Sequence, residues 1–565
     1  MRRRGLLSVL PALTLTLFLA PVIAGLIGTW LPAFGYLPAL GGDSFTLAPW
    51  AMLAAQPGLG ESLRLTLLSG FLATFLAFAL TVGFLAACHG GRLVRAVRGL
   101  MAPLIALPHA AVALGLAFLI APSGWLVRLV SPWATGWQLP PDIATVQDPN
   151  ALALTLGLVV KEMPFLLLMT LAALEQVRAD ERLAVARSLG YGPVTAWLKA
   201  VLPAVYRQIR LPLYAVLAYA LSVVDVALIL APLTPPPLAV QVLRWFNDPD
   251  LSMRFVAAAG ACLQLLVVVA GIGLWRLGEI LAERLGRAWI AGGSRGGNGR
   301  LARPLAAGLV QGLVALAAAS LLALALWSVT ERWRFPDALP ASLGLETWAR
   351  QAPHAASVAG TTLATGLLAA AIALLLVLGC LENEQRRGLT LSNRALWLLY
   401  VPLLVPQVAF LFGTQVLAIQ TGIDATWLAL VWSHLLFVLP YVFLTLGDSY
   451  RALDERYART ALCLGAHPNR VFWQVKLPML LRPVLFALAV GFAVSVAQYL
   501  PTLFAGGGRF VTLTTEAVGL AAGGDRRVIG VYAFLQALLP LIAFAAALAV
   551  PKPLALARKL TVQPA

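Results

Sequence analysis

The chain reads as an all-α polytopic membrane protein of about twelve transmembrane helices, in two parallel-repeat halves of six. Three observations predict this. Hydrophobic residues make up 60% of the sequence and charged residues only 12%, against about 25% charged in a soluble domain, and mean hydropathy is +0.85. Apolar runs recur that reach the roughly 20 residues a helix needs to cross a bilayer. One charged island occurs twice in this otherwise apolar chain. Alternating ten-residue strands are absent, which argues against a transmembrane barrel. The net charge of +17 fits basic cytoplasmic loops. No basic–aromatic cluster suggests a base-stacking surface, so nucleic acid is not an expected partner.

Taken in order, the first half carries expected spans at about 6–30, 62–88, 101–120, 151–174, 211–231 and 254–275. The first could be a cleaved leader after Arg2-Arg3-Arg4, but it is long for one and the rest of the chain is itself membranous, so an uncleaved span is the better reading. Trp125, Trp133 and Trp137 lie in an expected external loop, as interfacial aromatics do. A Gly/Arg-rich segment, 276–304, reads as a flexible cytoplasmic linker between a first unit, 1–275, and a second, 305–565. The second unit repeats the order at about 305–327, 357–380, 395–419, 425–446, 483–504 and 529–550. With these spans about 30 of the 41 Lys and Arg fall on one side, which places both termini, including Lys552, Arg558 and Lys559, in the cytoplasm. Six spans per half return the chain to its starting side, so the repeat is parallel. Cys88, Cys262, Cys380 and Cys463 show no metal-ligand spacing and read as small apolar filler.

The islands lie at 175–210 and 447–482. The first contains Asp180, Glu181, Ala186, Leu189 and Gly190, then Trp197 and Leu202-Pro203. The second contains Asp454, Glu455, Ala461, Leu464 and Gly465, then Phe472 and Leu477-Pro478. Glycine and proline hold one register, since 465 − 190 and 478 − 203 both give 275. Each island reads as a helix, a glycine break, a short second helix and a Leu-Pro that ends it. The repeat extends further: Pro103, Pro108 and Gly115 recur as Pro402, Pro406 and Gly413, and Pro164 recurs as Pro440. The offset drops from 298 (406 − 108) to 276 (440 − 164), so the first half has an external loop about 22 residues longer.

Ala-x-x-Leu-Gly with Leu-Pro thirteen residues after the glycine resembles the EAA loop of ABC-importer permeases. The likeness covers nearly the whole chain, because both halves look like a permease core. It is nearest to fused permeases of binding-protein-dependent thiamine, ferric-iron and polyamine importers, and within them to an uncharacterised thiamine-permease-like branch. The family's glutamate, six residues before the glycine, falls here on Ala184 and Arg459, while Glu181 and Glu455 lie nine and ten before it. The resemblance implies an inner-membrane translocation subunit. Its islands would dock two copies of a cytoplasmic ABC ATPase, through the residues between glycine and Leu-Pro. An external solute-binding protein would deliver the solute. No Gly-x4-Gly-Lys-Ser/Thr phosphate loop occurs in the chain, so no cofactor is expected on it, and ATP-Mg belongs to the partner ATPase.

Polar groups inside spans are costly and default to functional candidates. Ser222 and Asp225 in the fifth span, and Ser495 and Gln498 in the eleventh, are the candidates for the solute pathway. Lys161-Glu162 reads as an internal pair and His434 as a satisfied core histidine. Three rivals stand beside the importer. An ion-coupled secondary transporter can also have two six-helix halves, but needs intramembrane carboxylates, and here Glu162 and Asp225 are the candidates. A membrane scaffold would explain the spans without the paired islands. The islands could also be amphipathic helices lying on the membrane surface.

Overall fold

The computed structural model describes residues 6–297, 299, 301–389 and 393–549. The basic residues Arg2–Arg4, Lys552, Arg558 and Lys559 lie outside them. The first half runs α1 (Leu10–Ala33), α2 (Leu59–Cys88), α3 (Arg92–Ala106), α4 (His109–Ile120), α5 (Leu152–Gln176), α6 (Ala179–Ser188), α7 (Leu202–Ser222), α8 (Asp225–Leu230) and α9 (Met253–Ala291). The second runs α10 (Ala302–Ser328), α11 (Glu346–Arg387), α12 (Asn393–Leu404), α13 (Leu411–Gln420), α14 (Trp427–Arg451), α15 (Glu455–Cys463), α16 (Leu481–Val496), α17 (Leu500–Gly506) and α18 (Arg526–Ala549). Shorter helices join them. Among the described residues the only sheet pairs Thr330–Arg332 with Ser342–Leu343.

The fold is all-α and polytopic. Among the described residues nine helices are long and apolar enough to cross a membrane, or ten if the bent pair Pro468–Met479 and Leu481–Val496 counts as one span. The expected twelve are therefore not matched by twelve continuous helices. Expected spans at 211–231, 395–419 and 483–504 each fall on a broken helix: α7 with α8, α12 with α13, and α16 with α17. The break between α3 and α4 lies at Leu107-Pro108, and that between α12 and α13 follows Pro406. Proline has no N–H to donate to the preceding turn, and it pushes the residue before it into extended backbone.

Repeat symmetry is visible in single bonds. Leu238 N donates to Thr66 Oγ1 on α2 at 2.9 Å, and Leu513 N donates to Thr362 Oγ1 on α11 at the same distance. The first helix of each half crosses to the other half. Helix α1 packs on α13 and α11, while α10 packs on α4 and α2. Glycine makes both crossings possible. A Cβ on Gly413 would stand 2.0 Å from Gly25 O, and one on Gly115 would stand 2.3 Å from Ser320 O. The recurrence of Gly115 as Gly413 is thus a demand for close backbone approach at two equivalent crossings.

Two expectations are corrected. The linker was expected from residue 276, but α9 continues as helix to Ala291. Nothing in 276–291 breaks a helix except Gly278 and Gly286, which a helix tolerates at modest cost. Cys463 was read as apolar filler, but it is exposed at the end of α15.

Candidate functional site

Each island is built on a helix whose C-terminus is closed by glycine. In the first, Asp180 and Glu181 occupy the first turn of α6, where the helix dipole favours negative charge. Ala179, Leu183 and Ala186 face the bundle. Gly190 takes φ +83°, and Gly465 takes φ +84° in the second island. Gly190 N donates to Arg187 O at 2.9 Å and Tyr191 N to Ala186 O at 3.2 Å. The second island repeats both bonds, Gly465 N to Leu462 O and Ala466 N to Ala461 O, each at 3.0 Å. This pair of bonds is the Schellman closure of a helix, which needs a left-handed residue after the last turn. The spacing Ala186-x-x-Leu189-Gly190 is therefore a backbone requirement as well as a motif. Helix α15 also has an N-cap, Asp454 Oδ1 accepting from Arg456 N at 2.9 Å, and the hydrogen-bonded Arg456 guanidinium holds the Asp454 carboxyl below its usual range.

After the glycine a second helix starts at Pro193 or Pro468, where proline suits the first turn. A π-helical turn follows, Trp197–Val201 or Phe472–Lys476. The expected ending at Leu-Pro is corrected here. Leu202-Pro203 opens α7, and Leu477-Pro478 opens the short helix Leu477–Met479. Proline at the start of a helix loses only an N–H that has no partner there.

What lies beneath the two islands differs. The first rests on apolar contacts: Trp197 and Val201 are 0% exposed and pack with Ala86, Leu174, Leu183 and Ala186. Beneath the second, Lys476 Nζ donates to Glu382 Oε2 at 2.7 Å and to Gln385 Oε1 at 2.8 Å. Tyr450 O–H donates to the same carboxylate, and Arg386 Nε reaches Glu382 Oε1 at 2.6 Å. Arg386 then binds the island itself, through Asn469 Oδ1 at 3.0 Å and Pro468 O at 3.2 Å. On the surface, Leu189 is 58% and Leu464 84% exposed, while Glu181 and Glu455 sit in local ion pairs with Arg178 and Arg459.

The intramembrane candidates separate. Ser222 Oγ donates to Ala218 O of its own helix at 2.7 Å. Ser495 Oγ is hydrogen-bonded to His434 Nδ1 at 2.7 Å, and His434 Nε2 to Thr502 Oγ1 at 2.9 Å, which satisfies that buried histidine from both sides. Gln498 is buried. Asp225 opens α8, just after the break at Val224, and the corresponding break residue of the second half is Tyr499 before Leu500. The break register is 275 (500 − 225), so Asp225 aligns with Leu500, two residues beyond Gln498.

Lys161 and Glu162 are neighbours with separate tasks. Lys161 Nζ donates to Leu104 O at 2.9 Å and Leu107 O at 2.6 Å, carbonyls that the break at Pro108 leaves without helical donors. The expected internal pair is thus corrected. Glu162 Oε1 instead meets His109 Nε2 at 3.1 Å, and the His109 ring lies 4.9 Å from that of Tyr219. Asp225 is within electrostatic reach of His109, Tyr219 and Tyr499, and Glu162 of Tyr219 and Tyr441. A polar group contributed by both halves thus sits among the helix breaks. From sequence, the proline before His109 was the available signal for it.

An all-helical polytopic membrane protein with two such islands is the architecture of a transporter subunit. The family described as binding-protein-dependent transport system inner membrane component matches residues 366–550. The inner membrane ABC transporter permease protein YnjC of Escherichia coli K12 is 34% identical over 502 residues, covering 89% of this chain and 90% of that protein. The molybdenum transport system permease protein ModB of Mycobacterium tuberculosis is 33% identical over 171 residues, 28% of this chain and 62% of the relative. The putrescine transport system permease protein PotI of Escherichia coli K12 is 27% identical over 184 residues, 31% and 60% respectively. The chain belongs to the family of ABC-importer permeases. It is a multi-pass translocation subunit without an ATPase of its own, and membership implies an ATPase and a solute-binding protein as partners in general. None of the relatives named here carries thiamine in its name.

Proposed function

We propose that the two islands are the coupling loops through which two copies of an ATP-hydrolysing subunit drive this permease. The observation that supports it is the duplicated closure: both islands end α6 and α15 on a left-handed glycine with the same two bonds, then present a second helix and an exposed leucine. ATP-driven closure of the ATPase dimer draws the loops together. The halves then rock as rigid bodies and expose the central path alternately to either side. Both termini and the segment 276–304 are cytoplasmic, lipid surrounds the spans, and units 1–275 and 305–565 are the two moving halves. An external binding protein delivers the solute. The path runs by Asp225, Glu162 and His109, with the faces of Tyr219, Tyr441 and Tyr499. Carboxylates flanked by aromatic faces suit a cationic solute, such as a thiamine-like cation or a polyamine.

The test is co-purification from the native membrane followed by reconstituted uptake. Wild type is expected to recover two ATPase copies per chain, and Gly190→Pro with Gly465→Pro none. Asp225→Asn is expected to keep both copies and lose uptake of the cation. Failure of any ATPase to co-purify, even after crosslinking at Tyr191 and Ala466, would overturn the coupling role of the islands.

A further inference from the structure

The two islands have the same backbone but unequal access, and the cause is the chain's own linker. Gly192 N donates to Arg295 O at 2.9 Å. Lys199 Nζ donates to Trp289 O at 2.9 Å and Ser294 O at 2.8 Å, and lies 4.5 Å from the centre of the Trp289 ring. The fit is close: a Cβ on Gly192 would meet Gly297 O at 2.2 Å, and one on Gly296 would meet Thr195 Oγ1 at 1.9 Å. Glycine at 192 and 296 lets the linker lie flat on the second helix of the first island. At the second island, Gly465 has open space around it.

Burial follows these contacts. Thr195 is buried while its counterpart Arg470 is exposed. Leu198 and Lys199 are half-buried where Trp473 and Gln474 are exposed. A cavity of about 700 Å³ remains beside this contact, between α6 and the second helix, with Ile290 of the linker helix in its wall.

We infer that residues 289–297 form a strap that holds part of the ATPase-docking surface of the first island, so that the ATPase subunits engage the second island first and the first only as the strap lifts. The inference rests on the docking role proposed above. Binding and strap release are then thermodynamically linked: whatever holds the strap down weakens docking at the first island by the same factor. Both cationic and main-chain donors take part, so the strap is a specific contact rather than a slack tether.

A reversible lock tests this on the full chain in lipid nanodiscs with its partner ATPase. A Cβ on Gly299 would lie 4.0 Å from Val194 Cβ, inside the range a disulfide spans. The variant carries Val194→Cys and Gly299→Cys, with the exposed Cys463→Ser to prevent off-path pairing. Oxidised, it is expected to bind one ATPase copy as tightly as the reduced form of the same variant does and the second at least about tenfold more weakly, the worth of one or two lost contacts. Reduction restores both. The reduced form is its own control for folding. Equal binding of two copies in oxidised and reduced forms overturns the strap. A chain that recruits no ATPase in either form overturns the docking role on which the strap depends.

Discussion

The first island rests on Ala86, Leu174 and Val201, whereas the positions beneath the second that the repeat equates with these are Glu382, Tyr450 and Lys476. Offsets of 296, 276 and 275 relate the two sets (382 − 86, 450 − 174 and 476 − 201). One backbone is thus held in place by two unlike solutions, packing in one half and a buried ionic network in the other. Packing asks only for shape. The network asks that every partner be present, because a buried charge without its counter-charge is costly. The comparison teaches that internal symmetry here belongs to the backbone closure and the helix crossings, while each half settled its own anchoring chemistry.

The largest effect is expected where the network is broken from one side. Glu382→Ala should destabilise the protein by about 3–5 kcal/mol, the usual cost of orphaning a buried partner. The triple change Glu382→Ala, Tyr450→Leu and Lys476→Val, which copies the first half, should return stability to within about 1 kcal/mol of wild type. Thermal unfolding of the detergent-solubilised chain reads both. A triple variant as unstable as the single one would mean the two anchors are not interchangeable.

Next in size is the aromatic at the π-helical turn. Trp197 is 0% exposed, and Trp197→Ala should cost about 3–5 kcal/mol. Phe472 is only half-buried, so Phe472→Ala should cost about 1 kcal/mol in the same unfolding assay. Equal losses would erase the difference in access between the two islands. The smallest effect tests what the islands share. Gly190→Ala and Gly465→Ala each force an L-residue to positive φ, at about 1 kcal/mol. The two losses should match within error, because the closures match in φ and in bonds.

Much of this was legible in the sequence. Hydropathy and the duplicated islands carried the all-α membrane fold and the helix-ending glycines, because each depends on residues close together in the chain. Gly115 and Gly413 were visible as a repeat, though not as helix crossings. The features that escaped join distant residues or depend on backbone breaks. Glu382 and Lys476 stand 94 positions apart, and no local pattern announces their contact. Lys161 beside Glu162 looked like an ion pair, but adjacent residues on a helix do not face each other, and each side chain found a partner on another segment. The break register that sets Asp225 against Leu500 appeared only once the helix ends were seen. The linker's start was misplaced because composition marks a flexible stretch but does not locate the end of a helix.

The exchanged first helices set the mechanical character of the whole. Helix α1 packs on α9 of its own half and on α13 and α11 of the other, and α10 likewise packs on α18 of its own half and on α4 and α2 of the other. The two halves are clasped like folded arms, at crossings so tight that no methyl group fits at Gly413 or Gly115. A hinge between them therefore cannot open like a book. The two halves share contacts at both crossings, and one continuous chain joins a pair that is already interlocked.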